Sequence, residues 1–284
     1  MKILQTLCFV FFVIFQSIGQ SDSTGFKKEK LGVGLHTGFY NLHTDIMPPA
    51  FENPGFGIYV RVPIARVLDV KLNYTRSVSK GMDVQPWFHQ SVVTPFNGGL
   101  VEDVYSPYEN VEQGWFPSYK ATISSFEILG QLQFLRRIKN DFPFGDKLDL
   151  YLLAGLGFVN FQTKLDLLDK DNQPYLNLID RTNWTFDRFN SQVGRQEIKK
   201  SIEAIYDHTY ESNGPTGDHG TEVSIVFGVG LSYAMAKNIK LGLEYKTMGF
   251  SGLEYVDGLN IEIFGNKESV SADYYQFTVE YFFR

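Results

Sequence analysis

Apolar and polar side chains alternate along most of this chain with a period of two residues, the spacing of a β-strand rather than a helix. From 31 to 40, one face would carry Leu31, Val33, Leu35, Thr37 and Phe39, and the other Gly32, Gly34, His36, Gly38 and Tyr40. The alternation returns at about 56–62, 68–75, 125–134, 148–158, 223–233, 239–246 and 275–283. The pattern therefore predicts eight strands, each with one apolar face and one polar or small face.

The connections between these strands alternate in length. The long ones fall at about 42–54, 79–118, 165–220 and 248–270, and the others are shorter. A soluble β-sandwich would also alternate in polarity, but short turns at one end and long loops at the other are typical of membrane barrels. We therefore predict an all-β fold, an eight-stranded antiparallel transmembrane β-barrel with long extracellular loops, the longest at about 79–118 and 165–220.

The polar face of the predicted strands carries charges of both signs. A barrel of eight strands is narrow enough for side chains to fill it, and buried charges are tolerated only when they are paired and hydrogen-bonded. We therefore expect these charges to form a structural polar network in a plugged lumen. Its predicted members are Arg61, Asp69, Lys71, Glu127, Asp149, Lys240, Glu244, Lys246 and Glu280.

The first residues have the layout of a secretory signal peptide. Lys2 precedes an apolar run from Leu7 to Phe15, and small residues follow at Ser17 and Gly19. The run is too short for a transmembrane helix. We assign 1–19 to the signal and 20–284 to the barrel. Because the single cysteine, Cys8, lies in the signal, the processed chain has no disulfide to stabilise it.

Aromatic residues make up 15% of the chain, and several lie near predicted strand ends. Such residues form girdles where a membrane barrel meets water. The candidates for the two girdles are Phe39, Tyr40, Tyr74, Phe134, Phe158, Tyr233 and Tyr245.

The signal, the alternating strands, the Gly-x-Gly pairs (Gly32 and Gly34, Gly155 and Gly157, Gly228 and Gly230) and the last strand together resemble a known family. It is the outer-membrane β-barrel domain family, of the OmpA/OmpX and PorT-like kind common in Bacteroidetes. The resemblance covers nearly all of the chain after the signal, as a pattern. It implies a bacterial outer-membrane location and contact with outer-membrane lipid.

In that family an aromatic-ended last strand is the signal that the barrel-assembly machinery reads. By position, the matching residues of this chain are Tyr275, Phe277, Val279, Tyr281 and Phe283. Arg284 departs from the family pattern because it follows the final aromatic residue.

Several other chemistries find little support in the sequence. A net charge of -6 argues against a nucleic-acid surface. The Gly-x-Gly pairs lack the third glycine and the helix of a dinucleotide site. The five histidines, His36, His43, His89, His208 and His219, are scattered, and only His36 falls on a predicted strand. We expect no cofactor and no metal.

One loop has the composition of a candidate calcium site. Asp166, Asp169, Asp171 and Asn172 are clustered at its start, but their spacing is not that of an EF-hand. We favour a solvated acidic loop.

The two longest loops are the candidates for external binding. Ile198, Ile202 and Ile205 have helical spacing, which predicts a short amphipathic helix that packs on the barrel rim or docks a protein or glycan partner. The loop at 79–118 is rich in aromatics (Trp87, Phe88, Tyr105, Tyr108, Trp115 and Phe116). These form either a binding surface or a cover over the barrel mouth.

Together these features favour a non-enzymatic outer-membrane barrel that acts through its loops, in binding, envelope integrity or as a subunit of a membrane complex. One alternative is a narrow pore for small solutes or ions. Another is a lipid-modifying enzyme at the outer rim, for which Ser91 and His89 are close in sequence but have no identifiable orienting partner.

Overall fold

The computed structural model describes residues 31–43, 53–65, 67–82, 84, 116, 118–133, 147–175, 185–213, 220–250 and 271–283. The predicted signal, Arg284, Phe134, His89, Ser91 and most of the loop at 79–118 lie outside these residues.

The described residues form nine β-strands and two short helices. The strands are β1 (Gly32–His43), β2 (Pro54–Pro63), β3 (Leu68–Met82), β4 (Ser118–Gln133), β5 (Leu148–Leu165), β6 (Ser212–Asn213), β7 (Gly220–Ala236), β8 (Ile239–Phe250) and β9 (Ser271–Phe282). The helices, α1 (Phe186–Asn190) and α2 (Gln192–Glu203), lie between β5 and β6.

Eight of these strands close into a barrel. They are hydrogen-bonded in the order β4-β3-β2-β1-β9-β8-β7-β5, and β4 also pairs with β5. Each of these pairings is antiparallel. The two-residue β6 extends the sheet only at the end of β5. The predicted fold, an eight-stranded antiparallel barrel, is confirmed.

The two faces of each strand have opposite surroundings. On β3, Asp69, Lys71 and Asn73 are buried in the lumen, whereas Leu68 and Tyr74 are exposed on the outside. The outer surface is apolar around the whole barrel, with Leu35 63%, Phe56 62% and Leu243 61% exposed. Leu148 to Phe158 on β5 cover about 25 Å along the barrel axis at the usual rise and tilt. That is the height of the apolar band of an outer-membrane barrel.

The connections differ at the two ends of the barrel, as predicted. Turns join β2 to β3 and β7 to β8 at one end, and the three longest segments, after β3, β5 and β8, leave from the other. The prediction is wrong for one pair of connections, because the segment 134–147 between β4 and β5, at the end with the turns, is longer than the segment 44–53 after β1. Three predicted loops begin later than expected, because β1 continues to His43, β3 to Met82 and β8 to Phe250.

The barrel is taller on one side at this long-loop end. β3, β4 and β5 contain 15, 16 and 18 residues, whereas β9, β1 and β2 contain 12, 12 and 10. β7 also contains 17 residues, but its first residue, Gly220, pairs with Phe161, below the end of β5 at Leu165. The wall formed by β3, β4 and β5 therefore rises beyond the rest of the rim. We call it the tall wall.

The predicted aromatic girdle needs one correction. Phe39, Tyr74, Phe158, Tyr233 and Tyr245 lie on outward-facing positions. Tyr40 instead points into the lumen and is 1% exposed, because it shares strand parity with His36 rather than with Phe39.

Candidate functional site

The lower half of the lumen, toward the short turns, is a network of ion pairs. Arg61 contacts Asp69 and also donates from Nε to Glu280 at 2.7 Å. Lys240 donates to Asp149 at 2.6 Å. These pairs are at the end of the lumen nearest the short turns.

A second layer lies near the middle of the barrel. Lys71 donates to Glu244 at 2.5 Å, and the Tyr151 hydroxyl donates to the same carboxylate at 2.7 Å. Gln276 also donates to Glu244. One carboxylate thus links β3, β5, β8 and β9 across the lumen.

The third layer is the most deeply buried. Lys246 donates to Glu127 at 2.6 Å, and both side chains are 0% exposed. Asn73 and Ser125 each donate to Glu127 at 3.1 Å. All nine residues named from the sequence as lumen charges therefore face inward and are ion-paired. Each charge has the partner that makes its burial tolerable.

Two glycines make room for tyrosines within this network. A Cβ at Gly34 would lie 2.2 Å from the Tyr59 ring, and one at Gly230 would lie 2.3 Å from the Tyr151 ring. Only glycine leaves space for the two rings at these positions. The Gly-x-Gly pattern is thus explained by packing. Tyr59, Tyr151 and neighbouring charges line a cavity of about 10 Å³, enough for about one water molecule.

The upper half of the lumen, toward the long loops, is apolar, a feature that the sequence analysis missed. Its buried residues form one cluster that continues into the connections above the barrel mouth. The members inside the strands include Tyr40, Leu42, Ile123, Val159, Phe161, Leu165, Val226, Met248 and Phe250. These side chains share the inward parity of their strands, but a lumen whose apolar side chains are concentrated in its upper half was not anticipated.

Helix α2 covers this apolar cluster. Ile198 and Ile202 are buried within it, together with Phe116 and Tyr206, and the Tyr206 hydroxyl donates to the Phe116 carbonyl at 2.9 Å. Ser191 caps the helix by accepting from the Gly194 amide at 3.0 Å. The helix predicted around Ile198 is confirmed, although it begins at Gln192 and ends at Glu203. Within the described part of the chain, no helix combines the length and the apolar character needed to cross a membrane.

The segments 166–175 and 204–213 join α1 and α2 in one folded unit above the mouth, which we call the platform. Tyr175 and Tyr206 stack with their ring centroids 4.1 Å apart. The Tyr175 hydroxyl donates to Asp166 at 2.8 Å, and Glu211 accepts from the Leu167 and Leu168 amides at 2.8 and 2.7 Å. These contacts tie the two segments together.

The platform contains one acid with a shifted pKa. Asp166 is 0% exposed, and burial raises its pKa from 3.8 to about 6, although the hydrogen bond from Tyr175 opposes this shift. Asp207, His208 and Glu211 lie around the same carboxyl. Neutral Asp166 therefore suits the folded platform better than its carboxylate.

The structure does not assemble the candidate calcium site. Asp169 accepts from the amides of Asp171 and Gln173 in a tight turn, and Asp166 points instead at Tyr175. Within the described residues, no three histidine, cysteine or carboxylate groups lie close enough together to hold a metal ion.

The described histidines are in three separate places. His36 is buried in the lumen beside Tyr274, and His208 lies on the platform 3.9 Å from Asp166. His43 is also on β1, contrary to expectation, and its Nε2 lies 2.9 Å from Asp273.

The last strand presents its alternate residues to the outside. Tyr275, Phe277, Val279, Tyr281 and Phe283 are 41–49% exposed on the apolar outer surface. They are therefore part of the lipid-facing band, and their role as an assembly signal stays a prediction.

The buried pair of Lys246 and Glu127 yields a test of the lumen network. Glu127→Gln leaves the Lys246 ammonium buried without its carboxylate, which should lower the free energy of unfolding by about 3–5 kcal/mol. Urea unfolding of the protein in lipid vesicles measures this. Glu197→Gln, which breaks an exposed pair with Arg188, is the control and should cost no more than about 1 kcal/mol. Equal effects of both variants would contradict a structural role for the network.

Asp166 yields a test at the platform. Its pKa is raised on folding, so the stabilisation is complete below pH 3.8 and is lost as the pH rises through about 6. Exchange of the Leu167 and Leu168 amides, corrected for intrinsic rates, should be roughly tenfold more protected at pH 5 than at pH 8. Asp166→Asn should remove this dependence, and His208→Gln should retain it. The reverse result would assign the dependence to His208.

No family model matches the sequence, and no curated protein sequence matches it. Among solved structures, the chain is similar to Ail, the attachment invasion locus protein of Yersinia pestis, with 8% identity, a TM-score of 0.41, and coverage of 90% of this chain and 99% of that one. Neisserial surface protein A has 12% identity and a TM-score of 0.42, with coverage of 89% of this chain and 97% of that one. A major outer membrane protein from Thermus thermophilus has 12% identity and a TM-score of 0.40, with coverage of 89% of this chain and 98% of that one.

At these identities and TM-scores, the assignment rests on the geometry of the chain itself. A closed antiparallel barrel leaves no unpaired edge, and its outer surface carries an apolar band bordered by aromatics. Both are properties of outer-membrane barrels. The chain is an outer-membrane β-barrel protein, in agreement with the location expected from the sequence.

Proposed function

We propose that this protein is a non-enzymatic binding protein of the outer membrane, in which the barrel holds the platform at the cell surface for a protein or glycan partner. The observation that carries the proposal is the filled lumen below a folded platform. Ion pairs occupy the lower half of the barrel, and the apolar cluster with α2 occupies the upper half. The platform is then the part of the described chain that faces outward with an accessible surface.

The exposed side of the platform suits a contact surface. Val193 is 67% exposed on α2, next to the exposed Gln196, Glu197 and Lys200. The opposite side of the helix is anchored by Ile198 and Ile202. A helix held in this way offers a preorganised surface, which loses less entropy on binding than a flexible loop.

The same observations support binding over the alternative of a pore. A pore needs a continuous aqueous path, whereas the cavity found in the described lumen has room for about one water molecule. The closer relationship to OmpA/OmpX and PorT-like barrels, and recognition of the last strand by the barrel-assembly machinery, are part of this proposal.

Site-specific photo-crosslinking on intact cells tests the proposal. A crosslinking residue at Gln196, on the exposed face of α2, should capture a discrete macromolecule. The control is the same residue at Lys237, in the turn at the opposite end of the barrel, and it should not capture that species. Identical products from both positions, or none from Gln196, would contradict binding through the platform.

Planar-bilayer recording is the second test of the proposal, and it separates a binding protein from a pore. The purified barrel should give no stable openings. Discrete openings whose conductance changes in Lys246→Met would overturn the proposal in favour of the pore.

A further inference from the structure

Three lysines lie side by side on the outside of the tall wall. Lys80 of β3 is directly opposite Lys120 of β4, and Lys120 is directly opposite Lys164 of β5. Lys80 and Lys164 are exposed and Lys120 is half-buried. All three have outward parity, since their neighbours Ser79, Tyr119 and Leu165 are buried. We call them the lysine row.

Like charges at directly opposed positions of a sheet repel each other. None of the ion pairs among the described residues gives a carboxylate partner to these three ammonium groups. Two acids of the adjoining platform are engaged elsewhere, Glu211 by backbone amides and Asp166 by Tyr175. The row is thus a concentrated positive charge on a chain whose net charge is -6.

One platform residue is held against the row. The Tyr210 ring centroid lies 5.8 Å from the Lys80 ammonium and 5.9 Å from that of Lys120. Tyr210 has a φ of 52°, in the left-handed region that costs a non-glycine residue energy. The platform therefore accepts local strain at a position where an aromatic ring lies near two of the cations.

The height of the row above the membrane follows from the register. Tyr74, Phe126 and Phe158 form an outward aromatic row on the same three strands, and they pair with each other directly. Each lysine lies six residues from the aromatic residue of its own strand, toward the long-loop end. At the usual rise and tilt of barrel strands, the lysine row lies about 15 Å outside the aromatic row.

That height exceeds the headgroup layer of a phospholipid, which is about 5–8 Å thick on each side. Five of the six outward positions between the two rows are polar, and none is acidic. The polar positions carry one cation, two hydroxyls and two amides, groups that suit contacts with sugars. They are Arg76, Ser124, Asn160, Thr122 and Gln162, and the sixth position is the apolar Val78. An acid, Asp273, does occupy an outward position of β9, where it contacts His43 and Tyr245.

We propose that the outer face of the tall wall binds the headgroup of a phosphate-bearing glycolipid of the outer leaflet, with the lysine row on its phosphates and the polar positions below on its sugars. Charge complementarity and the height of the row favour this occupant. A lipid bound in this way relieves the repulsion between the lysines and packs against the barrel beneath the platform.

The test uses the full processed chain in phosphatidylcholine nanodiscs, and the probe is purified lipopolysaccharide truncated to its phosphorylated inner core. The triple variant Lys80→Gln, Lys120→Gln, Lys164→Gln should bind the probe at least about tenfold more weakly. The control variant Lys147→Gln, Lys170→Gln, Lys237→Gln makes the same change in charge at exposed positions outside the tall wall and outside the exposed face of α2, and should bind as the unchanged protein does. Equal weakening in both variants would overturn the proposal, because it would reflect net charge alone.

The remaining arms separate the sources of the phosphate. Enzymatically dephosphorylated probe should bind as weakly as the triple variant binds the intact probe. Equal affinity for phosphatidylglycerol, or full competition by inorganic phosphate, would overturn the assignment to a glycolipid. The triple variant should unfold in lipid-free detergent no earlier than the unchanged protein, since the substitutions remove repulsion. Earlier unfolding together with unchanged probe affinity would make the row a structural feature and overturn its role in binding.

Discussion

The structure depends on one constraint, the cost of an unpaired backbone amide or carbonyl in hydrocarbon, which is several kcal/mol for each group. β4 pairs with β5 in addition to β3, and this pairing closes the sheet so that the spanning backbone has no free edge. Closure with eight strands makes a lumen that side chains can fill. The strand faces then have separate roles, because the outward residues of the apolar band contact lipid and every inward residue must find partners inside a narrow cylinder.

The filled interior determines where the protein can act. Its lower half holds charges in layers that join distant strands, such as Lys71 and Glu244, and its upper half continues as an apolar cluster under α2. The barrel is therefore a rigid support with its exposed chemistry outside. The platform lies over the mouth at the long-loop end, and the tall wall is part of the outer face of the barrel, so the two proposed contacts are on separate surfaces.

The period-two pattern was enough to predict the strands and the inward position of all nine charges, since alternate residues of a strand point to opposite faces. The closed barrel was predicted from the lengths of the connections as well, because a β-sandwich has the same alternation. Applied consistently, it also places Tyr40 inside, with His36. The pattern could not provide the register. The alignment of Lys80, Lys120 and Lys164 requires knowing which residues pair across strands. The network of Asp166, Tyr175 and Glu211 depends on how an irregular segment folds, for which the sequence has no periodic signal.

The most direct test is the accessibility of spin labels along β5 in lipid vesicles, using single introduced cysteines in a chain whose one native cysteine carries the substitution Cys8→Ser. Labels at 150, 152 and 156 should collide with lipid-soluble oxygen and not with a water-soluble nickel relaxant. Labels at 151 and 153 should be protected from both, because they face a filled lumen. Strong contact with the nickel relaxant at 150, 152 and 156 would contradict a membrane-spanning barrel.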